Sequence, residues 1–326
     1  MSYLDNAVRH QIDLLRLEAG ESRRLLRILK EADDQIDTLL AKRNIPRYGT
    51  KAFNKLVERV QRIRAEAMSA VKTELADDLR RLVDVERTFE LRALKSHIIS
   101  PNDVNLPILR KSVLNTPFTT SPGQMAVFDS WVKSLEASDK KRIGDALTAA
   151  ARTGQDARQL VVGSRAFPGI VARTHKNLEA VVRTLFVHTS STVREKLWEV
   201  NGGVLAYRWT AMLDRKLCPI CFSHHGKFTP APGRTIPSGL PALTPKGLRP
   251  PLHANCRCIL VPIFSLSGIL DLPTADEWLT TQTTGTQNEV LGVTRATLFR
   301  QGKIEAASMT NQTGRLITLD EFLSER

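Results

Sequence analysis

Apolar residues recur at steps of three and four through most of the first hundred residues. They run from Leu4 to Leu39 and again from Phe53 to Leu94. Because these steps place side chains on one face of a helix, the pattern predicts two long amphipathic helices. The residues at 44–49, Asn-Ile-Pro-Arg-Tyr-Gly, predict the break between them. The second helix is predicted from Thr50 to Ser100, where neither glycine nor proline occurs.

Packed antiparallel, the two helices would form a coiled-coil-like hairpin, a first unit at residues 1–100. Such a hairpin either mediates assembly, including self-association, or covers the rest of its own chain. The segment 101–122 holds four prolines and three asparagines, a composition that predicts a linker.

Helical periodicity resumes after this segment. It predicts short helices at Met125–Leu135 and Lys141–Ala151, and a third that begins near Gly154 and ends at Gly163. A long, basic, amphipathic helix is predicted at Ile170–Trp198.

Two apolar runs later in the chain predict strands, at Val204–Thr210 and Ile259–Ile263, which we expect to pair with each other. The residues between Phe222 and Leu248 are rich in glycine and proline and predict loops. We therefore place a central domain at 123–262, with a small β lobe at 204–262.

The remaining residues, 263–326, predict a tail of short helices. Thr-x-x-Glu pairs begin at Thr274, Thr286 and Thr318, and each has the spacing of a capping box. The expected fold is thus mainly α: a long helical hairpin, a central helical domain with a small β lobe, and short C-terminal helices.

The β lobe contains the main candidate chemistry. All four cysteines and one of the seven histidines lie in two short segments, Cys218-Pro-Ile-Cys221 and His253-Ala-Asn-Cys256-Arg-Cys258. Paired thiolates from two separate turns are the ligands that tetrahedral Zn²⁺ takes in structural sites. We refer to these segments as the first and second knuckle, and they predict a zinc site.

Five residues compete for four coordination positions. Cys218, Cys221 and Cys258 are the expected ligands, and Cys256 and His253 are the alternatives for the fourth. Residues two apart in an extended strand point in opposite directions, so Cys256 and Cys258 can share an ion only if the backbone curls between them.

A structural role for the metal is favoured over a catalytic one. Catalytic zinc needs an open position and a general base, but the only carboxylate between Asn201 and Cys258 is Asp214. We expect Asp214 to bond backbone N–H groups of the turn that carries the Cys218 and Cys221 thiolates. His224 and His225 could serve a zinc-supported nuclease, the alternative function, but an exposed polar turn is favoured because no acidic partner is near in sequence.

A disulfide framework is the alternative use of the cysteines. The sequence begins without an apolar export signal, so we expect a reducing compartment, where disulfides are rare and zinc is favoured. No run of about 18 apolar residues occurs, so no membrane partner is expected.

The net charge of +13 is concentrated in one part of the chain. Residues 151–258 contain 16 Lys and Arg against 5 Asp and Glu. This excess predicts a polyanionic partner such as double-stranded DNA, contacted at phosphates, or an acidic protein surface; a solvated face without a partner is the alternative. The candidate phosphate contacts lie on the long basic helix: Arg173, Lys176, Arg183, Arg194 and Lys196.

The order of these features resembles the phage Mu F-like head morphogenesis proteins, also called minor capsid proteins. The resemblance rests on Arg183-Thr184, Trp209-Thr210-x₃-Asp214-x₃-Cys218-x₂-Cys221, Gly226-Lys227, Pro250-Pro251-x-His253-x₂-Cys256-Arg257-Cys258, and Asp276-Glu277-Trp278-Leu279 with the following stretch to Gly302. It covers roughly residues 123–321.

This resemblance implies a virion component in few copies, made in the host cytoplasm and located inside the head near the portal. Its implied partners are the portal protein, major capsid or scaffold proteins, and packaged DNA, with roles in head assembly, packaging or genome ejection. It implies no catalytic residue, so we expect a protein that is not an enzyme.

Overall fold

The computed structural model describes residues 3–41, 45–121, 124–163, 168–243, 247–267, 273–310, 317–318 and 321. The fold is mainly α, as predicted. Within these residues, no helix is both long and apolar enough to cross a membrane.

The N-terminal hairpin consists of α1 (Tyr3–Ala41) and α2 (Lys51–Leu94). Thr50 caps the start of α2, where its side chain accepts from the backbone N–H of Phe53 at 3.2 Å. The predicted second helix extended six residues too far at its C-terminal end, to Ser100 instead of Leu94. Ser96 Oγ donates to Ala93 O at 2.7 Å, and this local bond accompanies tight turns that end the helix well before Pro101.

The hairpin packs on the long central helix α6 (Ile170–Asn201) of the same chain. One ion pair joins Arg194 of α6 to Glu86 of α2, and both side chains are buried. A second joins Arg183 of α6 to Glu18 of α1. The structure therefore favours the second alternative, a hairpin that covers its own chain.

The segment 101–122 is more regular than a linker. It contains α3 (Leu106–Asn115) and β1 (Phe118–Ser121), which pairs antiparallel with β2 (Gln124–Ala126). Leu109 and Val113 are fully buried in the main core. The prolines that suggested a linker are compatible with this order, since Pro107 lies in the first turn of α3, where no backbone N–H is needed.

A single helix, α4 (Phe128–Thr153), replaces the two short helices predicted there. The polar residues between the two predicted pieces include Asp139, which is buried and accepts from Arg64 Nε at 2.9 Å. Helix α4 ends at Gly154, whose φ of 73° suits a helix C-terminus, and α5 (Ala157–Val161) follows.

The β lobe contains a three-stranded antiparallel sheet of order β4-β3-β5. Its strands are β3 (Ala206–Thr210), β4 (Phe228–Pro230) and β5 (Ile259–Ile263). Pairing of β3 with β5 was predicted, and Trp209 lies opposite Leu260. Strand β4 lies within the segment that was predicted as loops.

Three short helices follow: α8 (Ala275–Thr280), α9 (Thr284–Leu291) and α10 (Val293–Arg300), then a 3₁₀ turn at Ala306–Met309. The capping box at Thr274 is confirmed, and Thr318 makes the same reciprocal bonds with Glu321. The capping box predicted at Thr286 was wrong. Thr283 caps α9 instead and accepts from the backbone N–H of Thr286, which lies inside the helix.

Candidate metal centre

The first knuckle is the start of a short helix. Strand β3 leads into a turn in which Asp214 Oδ1 accepts from the backbone N–H of Lys216 at 2.8 Å, as expected. Helix α7 (Pro219–His224) then begins with Cys218 at its N-cap and proline at N1. Cys218 Sγ accepts from the backbone N–H of Cys221 at 3.4 Å, so a helix N-terminus stabilises the Cys218 thiolate.

The second knuckle contains a tight turn. The backbone N–H of Cys256 donates to His253 O at 3.1 Å, which closes a four-residue turn over Ala254 and Asn255. Asn255 has φ 65°, and it is the only non-glycine residue with positive φ in the described chain. Asparagine tolerates this left-handed conformation better than most residues.

The two knuckles meet side by side. His253 Nε2 lies 3.1 Å from Cys218 Sγ and 3.2 Å from Cys221 Sγ, and Cys221 Sγ lies 3.9 Å from Cys256 Sγ. The ligand atoms of Cys218, Cys221 and His253 lie within 4.8 Å of one another, as do those of Cys221, Cys256 and Cys258. The two groups share Cys221, and either could hold a metal ion.

The distances between these ligand atoms suit a tetrahedral Zn²⁺ ion. Bond lengths of about 2.3 Å to sulfur and about 2.0 Å to nitrogen put neighbouring ligand atoms roughly 3.5–3.8 Å apart, close to the distances found. His253 Nδ1 donates to Ala254 O at 2.8 Å, so its other nitrogen, Nε2, faces the sulfurs. All four cysteines are free thiols, and a sulfur separation of 3.9 Å is far from a disulfide bond.

The backbone curl that sequence reasoning required is present. Cys256 and Cys258 lie in one three-thiol group although they are two residues apart. Strand geometry begins only at Ile259, so the alternation of a strand does not separate these two sulfurs.

The cluster favours a negative thiolate at Cys218 and a positively charged imidazole at His253. The hydrogen bond with Cys221 lowers the pKa of Cys218 to about 5 against the effect of burial. Burial acts to lower the pKa of His253, but Cys218 and Cys256 outweigh it and raise that pKa to about 9. A bound cation would displace the proton on Nε2, because metal ligands bind in their deprotonated forms.

A salt bridge ties the knuckles together beside the cluster. Both oxygens of Asp214 accept from Arg257, at 2.5 and 2.6 Å. Burial acts to raise the pKa of Asp214, but the bonds from Arg257 and Lys216 hold it below its usual value. Asp214 thus joins the first knuckle to the second as well as ordering its own turn.

The adjacent histidines are not an exposed turn, so that expectation was wrong. His224 is 0% exposed and packs edge-on against Trp209, with ring centroids 5.5 Å apart. His225 Nδ1 accepts from the backbone N–H of Ala211 at 3.1 Å. Burial lowers the pKa of each histidine to about 4. Both rings are therefore neutral near pH 7; His224 lies in the interior of the lobe, and His225 is half-buried at its edge.

The five predicted phosphate contacts divide into different environments. Arg173 and Lys176 are exposed near the start of α6. Arg183 bonds Glu18 and Asn255, and Lys196 pairs with Glu199 at 2.7 Å.

The prediction for Arg194 was wrong. Its side chain is 1% exposed, and its Nε donates to Glu86 Oε2 at 3.1 Å. A buried guanidinium with a buried carboxylate partner has no surface to offer a phosphate. The spacing of α2 could have indicated this, because Glu86 and Glu90 occupy positions where the apolar stripe should continue.

The fold and the site define a helical protein with a small β lobe that contains a Cys/His cluster able to hold a metal ion. Residues 141–261 match the family model described as Phage Mu protein F like protein. The predicted resemblance is thereby confirmed, and this region, which includes α6 and both knuckles, is phage Mu F-like. No curated protein and no solved structure matches the chain significantly.

The family match supports a phage protein of the head-morphogenesis class, associated with the virion. The matched residues begin within α4 and end in β5. The predicted likeness of the C-terminal helices lies outside them and stays a prediction.

Proposed function

We propose that this protein is a non-enzymatic structural component of a phage head, in which one Zn²⁺ joins the two knuckles and stabilises the β lobe. The observation that carries the proposal is that Cys218, Cys221 and His253 come together within the phage Mu F-like region, with Cys256 Sγ 3.9 Å from the shared Cys221 Sγ. When bound, the ion would cross-link segments that are more than thirty residues apart, and its binding energy would add to the folding energy.

The four proposed ligands are Cys218, Cys221, His253 and Cys256. Nε2 of His253 faces both thiols of the first knuckle, and the Cys221–Cys256 separation suits a shared ion. Cys256 is proposed as the fourth ligand because its Sγ lies 3.9 Å from Cys221 Sγ, and Cys258, which belongs to the same three-thiol group, is proposed as its unbound neighbour.

Serine variants test this assignment. Cys256→Ser should lose most of the zinc measured by elemental analysis of the purified chain, whereas Cys258→Ser should retain about one zinc per chain. Both cysteines are buried and two residues apart, so each variant is the matched control for the other. Equal zinc retention by both variants, or zinc loss only in Cys258→Ser, would overturn the proposed ligand set.

A structural role fits the surroundings of the cluster better than a nuclease does. Asp214, the carboxylate four residues before Cys218, is held by Arg257 and by the backbone N–H of Lys216. His224 is buried and His225 is half-buried, and both are neutral near pH 7 because burial lowers their pKa to about 4. A general base with a free carboxylate or an accessible imidazole is what hydrolysis at such an ion would require.

The proposed partners follow from charge and family. Arg173 and Lys176 are exposed, and neither has an acidic partner among the described residues. They are the best candidates for contacting phosphates of packaged DNA. We further propose that the protein contacts the portal and capsid or scaffold proteins, inside the head near the portal, after synthesis in the host cytoplasm. It would there aid assembly, packaging or genome ejection.

A further inference from the structure

The turn that carries two of the proposed zinc ligands is held from outside the β lobe. Three successive backbone N–H groups each have a defined acceptor. Ala254 donates to Thr120 O at 2.9 Å, Asn255 donates to Thr184 Oγ1 at 3.0 Å, and Cys256 donates to His253 O.

Helix α6 makes two hydrogen bonds with Asn255 of this turn. Thr184 accepts from the backbone N–H of Asn255, while Arg183 NH1 donates to the side-chain oxygen of the same asparagine at 2.6 Å. Two neighbouring residues of α6 thus hydrogen-bond one residue of the turn, Asn255, which lies about seventy positions later in the sequence. We call this pair the Arg183–Thr184 clamp.

The clamp is itself anchored. Thr184 is 0% exposed, and its hydroxyl donates to Ala180 O at 2.7 Å, so its lone pairs face the turn. The guanidinium of Arg183 also bonds Glu18 of α1 at 3.2 Å, and the other oxygen of Glu18 accepts from Ser22. Glu18 therefore helps to hold Arg183 in the orientation in which it reaches Asn255.

The clamped residue is also the one with unusual backbone geometry. Asn255 has φ 65° and lies between the proposed ligands His253 and Cys256. A positive φ at the third residue is what a type II four-residue turn requires, and non-glycine residues adopt it at a cost. Bonds to both its N–H and its side chain offset that cost.

We propose that the Arg183–Thr184 clamp is a positioning device that fixes the turn at Asn255 and so preorganises His253 and Cys256 for the ion. This inference rests on the proposed zinc site and goes beyond it, because it assigns to α6 a part in metal affinity. It also gives Arg183 a role other than the predicted phosphate contact.

The test compares variants that remove one contact each. Thr184→Val keeps the shape but leaves the Asn255 N–H without its acceptor, and Asn255→Gly keeps the freedom of φ but removes the acceptor of Arg183. Asn255→Asp retains both features and is the conservative rescue. Val200→Thr, a change of similar shape at an exposed position on the same helix, is the control.

The measurements are the zinc dissociation constant by chelator competition and the absorption spectrum of the Co²⁺-loaded chain. Outer contacts of this kind change metal affinity by about 10- to 100-fold. We expect weakening of zinc binding in that range for Thr184→Val and a smaller weakening for Asn255→Gly, which is at the surface. Asn255→Asp and Val200→Thr should keep the wild-type affinity. The Co²⁺ bands should shift in the first two variants, which a general loss of stability would not cause.

The outcomes separate the two proposals. Unchanged affinity and spectra in Thr184→Val and Asn255→Gly, with a zinc-loaded wild type, would overturn the clamp alone. A wild type that binds no zinc would overturn the metal site and the clamp with it. Should Thr184→Val fail to fold, Asn255→Gly decides the matter, because it leaves the helix contacts of Arg183 and Glu18 intact.

Discussion

Arg194→Met tests most directly whether the hairpin and α6 form one core. Arg194 lies 3.1 Å from one oxygen of Glu86 and 4.0 Å from one of Glu90, and all three side chains are at most 1% exposed. Methionine keeps much of the apolar length but removes the charge. The two buried carboxylates would then lose their shared counter-ion on α6.

The expected cost follows from this burial. Removing one partner of a buried ion pair destabilises a protein by about 3–5 kcal/mol, because an uncompensated charge stays in the interior. Glu86 would keep its bonds with His10 and Ser190, and Glu90 would keep those from Tyr3 and Trp198. We therefore expect the lower end of that range, about 3 kcal/mol.

The assay is urea unfolding at pH 7, followed by far-ultraviolet circular dichroism. Arg173→Met, on the exposed face of the same helix, should stay within about 0.5 kcal/mol of wild type. Arg194→Met combined with Glu86→Gln should recover part of the loss, since one of the two stranded charges is then absent. A free energy of unfolding for Arg194→Met equal to that of the control would refute the buried ion-pair description.

Two further outcomes are expected. Burial lowers the pKa of His188 from 6.5 to about 4. As the pH falls between these two values, His188 becomes protonated in the unfolded chain but stays neutral in the folded chain. The free energy of unfolding therefore decreases over this pH range. The free energy of unfolding of His188→Gln, measured in urea, should therefore fall about 1 kcal/mol less than that of wild type between pH 7 and 5.5. An identical fall in both proteins would contradict the assignment to His188. For DNA, replacing Arg173 and Lys176 with alanine should weaken binding alike on different sequences and reduce the salt slope by about 1–2. An unchanged slope would remove these two residues from the interface.

The sequence indicated the features that repeat or cluster locally. The apolar spacing predicted α1 and α2, the apolar runs predicted β3 and β5, and cysteine spacing predicted which residues gather at the metal centre. Each of these signals lies within a few residues of the chain. Local composition misled where proline was frequent, because Pro107 begins a helix rather than preventing one.

Features that depend on partners far along the chain were missed. The burial of Arg194 depends on Glu86, and the clamp depends on Thr184 meeting Asn255 about seventy residues later. No local pattern predicts such pairs. Two weak signals existed: an acidic residue at an apolar position of α2, and an asparagine between two candidate ligands, where a left-handed turn is favoured.

The burial of His224 shows the same limit. A pair of histidines before Gly226 has the polarity of a surface turn, but α7 turns the first ring toward Trp209 of β3. Polarity alone could not show that the interior of the lobe receives this side chain.

X-ray absorption at the zinc edge of the purified wild-type chain tests the central claim, that one ion joins the two knuckles. The structure predicts one zinc per chain, with three sulfur ligands at about 2.3 Å and one nitrogen ligand at about 2.0–2.1 Å. Four sulfur ligands would show that Cys258 takes the place of His253. A chain without stoichiometric zinc, or an ion surrounded mainly by oxygen, would contradict the claim.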